Sequence, residues 1–315
     1  MPASGRPLPP ARGPAPARQR VLLVDDPRRL DSLTACRRIA AHLPEMDLLR
    51  AADRTATADA PPPDAALVCD LPDAARELTE QGVPVVYLHS GHQAELPATA
   101  AAVRLLHVPA WLPGPKPAGG AGVRSTGLLA PARLARSRSR AGCLLLVSAY
   151  GVRAADLTGI AARTLRPLAE EAAGRTGRCD VVCDVGTEHV REALAPLAQV
   201  RVRPAAEVDV DALHTEAAVF LASPTLTALS LAQPRRAPLA FLPPLGPAQA
   251  DLARRTAQIA PVGTVGDAWE PGRGPLYAPD APSPWSGIDA GADDLRGAQR
   301  VARSIRQLAL APTAF

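Results

Sequence analysis

Aromatic residues make up only 3% of the 315-residue chain, so any core must be built from Ala, Val and Leu. Lysine is nearly absent: of 35 basic residues only Lys116 is a lysine, the rest being arginine. That bias reads as a GC-rich bacterial genome rather than as chemistry. No apolar run reaches the roughly 18 residues of a membrane span. The opening stretch MPASGRPLPPARGPAPARQR lacks the apolar centre of a secretory signal; residues 1–17 read as a disordered Pro/Arg tail, and a cytoplasmic location is expected. Cys36, Cys69, Cys143, Cys179 and Cys183 are odd in number and form no C-x-x-C pair. Neither a disulfide framework nor a zinc site is implied, and buried reduced thiols are expected. Cys179 and Cys183 flank a predicted strand over 180–184. The net charge of +4, with no basic stripe interleaved with aromatics, argues against nucleic acid as a partner. Absence of GxxxxGK[ST], of GxGxxG after a strand and of GxSxG excludes the phosphate-loop NTPases, the nicotinamide enzymes and the α/β-hydrolases.

What is present is a 47% hydrophobic fraction distributed in short apolar runs alternating with helical periods. RVLLV (20–24), AALVC (65–69), VPVVYL (83–88) and RLLHV (104–108) read as strands. A helix is expected over 28–43 and another over 72–81, ended by Gly82. Residues 112–142 are rich in Gly, Pro, Arg and Ser and read as an interdomain connection, which places a boundary near 135. The second half repeats the alternation. CLLLV (143–147) is a strand, helices follow over 157–173 and 188–197, and strands fall at 180–184 and 200–202. A helix over 208–216, a strand over 218–222 and a helix over 226–231 come next, then a strand over 238–242 and a helix over 248–258. Residues 261–292 are irregular, and 293–310 has one apolar side. The fold class is α/β. Two Rossmann-like parallel-sheet domains, 18–135 and 136–292, face a cleft, and a C-terminal helix within 293–315 packs back. Ligands are expected at the carboxyl ends of the strands.

The stretch from Ala218 to Gln258 carries more than topology. A strand runs into Ser223-Pro224, a helix bears Thr227, and a second strand ends at Leu242-Pro243-Pro244 with Gln249 beyond. Ser223 suits an N-cap and Pro224 the first helical position. These residues resemble the donor-nucleotide half of the GT-B glycosyltransferases, and among them the cytosylglucuronate (CGA) synthase-related proteins. The likeness is clearest over 140–260 and weaker over 20–130. It implies transfer of a sugar from a nucleotide-sugar donor, expected to be UDP-linked, to a small-molecule acceptor in bacterial secondary metabolism. No metal and no further cofactor is implied. Three positions depart from the pattern: Thr225 stands for the family glycine, Leu231 for the helix acid, and Leu245-Gly246 for a polar pair. The first-domain turn is Asp25-Asp26-Pro27-Arg28-Arg29 where the family has a glycine-rich turn. The departures carry a second reading, a catalytically degenerate GT-B-fold protein that binds a small ligand or a partner enzyme.

Candidate catalytic residues are Asp25 and Asp26, as general bases at a strand end or as caps of the following helix, and His89 and His92, at the end of another strand. Candidate donor-binding residues are Ser148 and Gly151 after the 143–147 strand, Gly186 in a tight turn, and Ser223, Thr225, Thr227 and Gln249. The helix starting near Pro224 is expected to meet the pyrophosphate. His214 reads as a capping or surface residue.

Overall fold

A computed structural model of the chain describes residues 18–50, 61–91, 101–115, 122–265, 283–289 and 291–310. The tail over 1–17 and the candidate His92 lie outside the described residues.

The first sheet comprises β1 (Arg20–Val24), β2 (Asp47–Arg50), β3 (Ala65–Cys69), β4 (Val85–His89), β5 (Val103–Leu106) and β6 (Val123–Ser125). All pair in parallel in the order β2-β1-β3-β4-β5-β6. Every residue of β3 is buried, as a central parallel strand covered on both faces must be. Helix α1 (Leu30–Ala40) follows β1, and α2 (Pro72–Glu80) follows β3. The first helix starts two residues later than the sequence implies, because the Arg28 amide donates to Asp26 Oδ1 and the Arg29 amide to the Asp26 carbonyl, closing a turn first.

The second sheet holds β7 (Cys143–Val147), β8 (Cys179–Cys183), β9 (Val200–Pro204), β10 (Val219–Ala222) and β11 (Ala240–Phe241), all parallel in the order β11-β10-β7-β8-β9. Its helices are α3 (154–176, with a π-helical turn at Ala161–Leu165), α4 (Thr187–Leu194), α5 (Val210–Glu216), α6 (Leu226–Ala232) and α7 (Pro247–Ala257). Gly177, at φ 84°, ends α3 in the left-handed conformation that glycine adopts most readily. Cys179 and Cys183 lie within β8 rather than flanking a strand, on one face of the sheet and in the same apolar core. All five cysteines are buried and free. The architecture is thus two parallel α/β domains, as the GT-B resemblance implies.

Helix α8 (Gly297–Leu310) does not extend the second domain. Its buried side, Val301, Ala302, Ile305 and Ala309, packs with Val21, Leu23, Leu67 and Val86 of the first sheet. Gly297 permits this seating: a Cβ there would stand 2.5 Å from the Leu128 carbonyl oxygen.

The two domains are closed on one another. A single apolar core runs from Leu30, Leu33, Trp111 and Leu112 on the first side to Leu229, Phe241 and Trp285 on the second. Trp111 and Trp285 meet edge to face at 6.2 Å. Polar ties cross the same seam. Arg38 of α1 is 4% exposed; it donates to both carboxylate oxygens of Asp211 (2.5 and 3.0 Å) and to the Leu129 carbonyl, 2.6 Å away. Arg37 donates to the carbonyls of Ala205 and Val208. Among the described residues no helix is long and apolar enough to cross a membrane.

Candidate functional site

Strand order fixes where a ligand belongs. In an open parallel sheet the crevice forms where successive connections leave in opposite directions. In the first sheet that point lies between β1 and β3, in the second between β7 and β10. The carboxyl ends of those four strands deliver Asp25-Asp26, Asp70, Ser148-Ala149 and Ser223-Pro224. Between the two switch points lies a cavity of about 140 Å3 whose walls include Arg29, Asp31, Ser90, Ser148, Tyr150, Thr225 and Gln249.

Of the candidate donor-binding residues, Ser148, Thr225 and Gln249 line this cavity, while Ser223 lines a separate cavity of about 300 Å3 with Leu242, Pro243, Pro244 and Leu245. Their polar atoms are already engaged. Ser223 Oγ accepts from the Ser148 amide at 3.0 Å. Gln249 accepts from the Leu245 amide at 2.9 Å and donates to the Ser148 carbonyl at 2.8 Å. Ser223 is not the N-cap of α6, and Pro224 is not its first residue. The cap is Thr225, whose hydroxyl accepts from the Ala228 amide. The displacement follows from Ser223 Oγ being spent on β7. Position 225, where the family carries glycine, therefore has a structural use for its hydroxyl.

The remaining amides at the head of α6 are taken by Asp31 from the opposite domain. Its carboxylate accepts from the Leu226 amide (3.1 Å), the Thr227 amide (2.7 Å) and the Thr227 hydroxyl (2.6 Å). A helix head favours a negative oxygen, because its unpaired N–H groups and its dipole point that way. Here the protein supplies that oxygen itself. Desolvation pushes the Asp31 carboxyl above its ordinary value, against the pull of these three bonds.

Asp184, at the end of β8, makes the matching arrangement on the other side. It accepts from the Ser148 hydroxyl (2.6 Å), the Ala149 amide (2.8 Å) and the Val185 amide (2.8 Å). Burial raises it as well. Gly186 caps α4 at φ 66°, and a Cβ there would stand 2.1 Å from Leu157 Cδ2. That glycine answers a backbone and packing demand. Gly151 turns at φ 81° with open space around it.

The candidate catalytic residues separate. Asp26 is held by its neighbour: Arg28 donates to it through Nε (3.0 Å) and Nη2 (3.2 Å) as well as through its amide. The Asp26 carboxyl lies below its usual value, because the Arg28 bonds outweigh a desolvation that raises it. Asp25 points toward Cys36 and Arg50, and burial raises its carboxyl. Neither aspartate lines the cavity. His89, at the end of β4, stands 3.2 Å from Asp70 through Nδ1. Asp70 occupies φ 61°, rare for a residue with a side chain, and accepts from the Ser90 amide (2.8 Å) and hydroxyl. Burial raises its carboxyl, but His89, Arg29 and Ser90 bring it below its ordinary value. His214 is neither cap nor surface. It is fully buried, stacked edge-on to Phe220 at 4.6 Å, and Arg235 Nη1 lies 3.1 Å from its Nδ1.

Residue reading from the sequence missed Asp31, Asp70, Asp184, Arg29 and Tyr150. Asp70 and Asp184 follow apolar runs, and a strand-terminal acid is a visible signal. Nothing local distinguishes Asp31 from an ordinary first-turn acid that complements a helix dipole. Among the described residues no group of three or more His, Cys, Asp or Glu is placed to hold a metal ion.

Comparison with known proteins covers nearly the whole chain. A family profile described as "CGA synthase-related protein" matches residues 21–313. No curated protein sequence matches. Similar solved structures include the spinosyn rhamnosyltransferase SpnG bound to spinosyn aglycone, 17% identical, covering 92% of this chain and 97% of that one with a TM-score of 0.44. The glycosyltransferase SnogD from Streptomyces nogalater is 17% identical over 92% of this chain and 94% of its own, TM-score 0.43. MurG from Acinetobacter baumannii is 12% identical over 92% and 95%, TM-score 0.41.

Proposed function

The chain belongs to the CGA synthase-related family, and from that premise we propose that it is a GT-B-fold protein of bacterial secondary metabolism whose interdomain cleft binds a small ligand without the diphosphate of a nucleotide-sugar donor. The observation that carries this reading is the position of Asp31. Its carboxylate holds the amides of residues 226 and 227 and the Thr227 hydroxyl, the groups an inherited donor pyrophosphate would need. A bound diphosphate must break those bonds, each worth roughly 1.5–3 kcal/mol with a charged acceptor, and must then tolerate a buried carboxylate beside it. Leu231 is fully buried and offers a ribose no acceptor. The cavity of about 140 Å3 is well short of the ~300–1,000 Å3 that hold drug-sized ligands.

Calorimetry with UDP and UDP-glucose on the wild type and on Asp31→Ala tests the reading. No binding to the wild type, with binding gained in Asp31→Ala, is the expected result. Wild-type binding that Asp31→Ala leaves unchanged overturns it.

One observation favours a second reading, that of a nucleotide-sugar transferase. Asp70 and His89 pair at 3.2 Å at the strand ends facing the cleft, and an oriented imidazole is a suitable base for an acceptor hydroxyl. Under that reading the cleft opens, Asp31 leaves α6, and His89→Gln loses at least a hundredfold in transfer rate while keeping its UDP-sugar affinity. A wild type that neither binds nor hydrolyses a panel of UDP- and TDP-sugars removes it.

A further inference from the structure

The two helices that meet at the cleft, α1 and α6, lead away from it to a second cavity, of about 490 Å3. The last turn of α1, the interdomain connection around Pro131 and Arg133, and α5 enclose it, with Arg235 beyond the end of α6. That volume lies within the ~300–1,000 Å3 that hold drug-sized ligands. The walls carry four guanidinium groups, those of Arg37, Arg38, Arg133 and Arg235. Asp211 accepts twice from Arg38. The other three form no ion pair among the described residues. Arg37 donates to the carbonyls of Ala205 and Val208. Arg235 donates to the Arg133 carbonyl at 2.8 Å and lies 3.1 Å from His214 Nδ1. These are neutral acceptors, and they leave both charges uncompensated. The Nε of Arg235 is buried with no partner. Desolvation lowers the pKa of Arg37 and of Arg235 from the ordinary guanidinium value, as befits cations stripped of water without a counter-ion. Arg133 is exposed, and among the described residues its guanidinium donates no hydrogen bond. The carboxylates of the same walls are engaged otherwise. Asp211 holds Arg38, Asp209 accepts from the amides of Asp211 (2.9 Å) and Ala212 (3.1 Å), and Glu216 stands 3.7 Å from Arg178.

We infer that this cavity is a second ligand site, for the phosphate monoester of an apolar alcohol, and that its occupant fastens the two domains in their closed arrangement. Three guanidinium groups without a carboxylate call for more than one negative charge. A phosphate monoester brings about −1.5 to −2 charge at neutral pH and three strong acceptor oxygens, and the planar fork of arginine pairs with phosphate oxygens two at a time. A monocarboxylate brings one charge and two oxygens. Between the arginines the walls are Ala41, Pro131, Ala132 and Ala212, which pack an apolar group and offer a polyol no side-chain bond. The coupling follows from the site's construction. Arg37 belongs to the first domain, Arg235 to the second and Arg133 to the connection between them. The site is complete only when the domains are closed, and a ligand shifts an equilibrium toward the state it binds better. The same helices carry the shift to the cleft. Asp31 and Arg37 are six residues apart on α1, about 9 Å along its axis, and the first amides of α6 hold the Asp31 carboxylate. The inference is independent of what the cleft binds, and the nucleotide calorimetry above tests that question separately.

The test uses the full chain with phenyl phosphate, inorganic phosphate and benzoate as probes, by calorimetry at constant ionic strength. Phenyl phosphate is expected to bind saturably, at least tenfold tighter than benzoate and severalfold tighter than inorganic phosphate. Arg133→Gln and Arg235→Gln are each expected to weaken it at least tenfold. Arg29→Gln, in the cleft cavity, is expected to leave it unchanged. Melting temperatures without ligand show that each variant folds; should Arg235→Gln not fold, Arg133→Gln at its exposed position carries the comparison. Hydrogen exchange of the Leu226 and Thr227 amides is expected to slow when phenyl phosphate is added to wild type, and not when it is added to Arg133→Gln. The site is overturned by an absence of saturable binding, by benzoate or inorganic phosphate binding as tightly as phenyl phosphate, or by binding that Arg29→Gln abolishes and Arg133→Gln does not. Binding that leaves the exchange of those two amides unchanged overturns the coupling.

Discussion

Asp31 of the first domain and Thr227 of the second share two hydrogen bonds, one to the amide at 2.7 Å and one to the hydroxyl at 2.6 Å. They make the head of α6 a domain–domain joint instead of an open anion site. Removal of the carboxylate should therefore cost stability as well as change specificity. Asp31→Ala leaves two amides and a hydroxyl without their partner, and a loss of about 1–3 kcal/mol is expected. Asp31→Asn keeps an accepting oxygen and sheds the desolvation of a buried charge, so it should cost less than Asp31→Ala. Urea unfolding of the two variants side by side checks the order.

Arg38 ties α1 to the second domain across the seam. Its guanidinium is buried and bonded to Asp211, Leu129 and Ser230. Arg38→Met should destabilise by about 3–5 kcal/mol, because Asp211 then loses its compensating charge. Arg38→Lys should recover only part, since a single ammonium does not reach three acceptors in the same geometry. The double variant Arg38→Met/Asp211→Leu should regain much of the loss, which denaturant midpoints would show.

Acid sensitivity should trace to His107. It sits at the end of β5, fully buried, and its Nε2 accepts from the Leu129 amide at 3.3 Å, which requires a neutral ring. Burial and the nearby Arg38 lower its pKa from 6.5 to about 3. The unfolded chain binds a proton below about 6.5 that the folded chain refuses until about 3. Stability from this residue is therefore complete above the upper value and falls with decreasing pH through that window, by up to about 1.4 kcal/mol per pH unit. His214, lowered by burial and by Arg235, acts in the same direction. The difference in stability between wild type and His107→Asn, followed from pH 7 to 5, isolates the His107 share; a pH-independent difference excludes it.

Gly297→Ala tests how closely α8 is seated. The added Cβ would stand 2.5 Å from the Leu128 carbonyl oxygen and 3.0 Å from Leu129 Cδ2. Backbone does not yield as a flexible side chain does, so about 1–3 kcal/mol should be lost. Thermal unfolding reads the loss, and exchange protection should fall in α8 first.

The alternation of short apolar runs with helical periods made both sheets legible, because parallel strands buried on two faces leave no other pattern. The candidate site was legible in outline. Ser148, Thr225 and Gln249 line one cavity because strand ends at a switch point converge whatever their side chains. What escaped was the choice of partner across the seam. Asp31 looks like any acid in a first helical turn, and Arg37 and Arg38 look like basic residues in a last turn. Their meaning depends on a helix nearly two hundred residues away. The cap position escaped for a similar reason: Ser223 and Thr225 are both good caps, and only the demand of the Ser148 amide for Ser223 decides between them.

The place of α8 has a consequence for synthesis. Residues 143–265 hold all of the second sheet in one unbroken stretch, so that half can fold as soon as it clears the ribosome. The first half is synthesised earlier but lacks the helix that covers Val21, Leu23, Leu67 and Val86 until translation reaches residue 310. An apolar sheet face is left waiting through most of elongation. The half made first is finished last, and a nascent chain arrested before Gly297 should hold a protease-resistant second domain beside a first domain that a chaperone still binds.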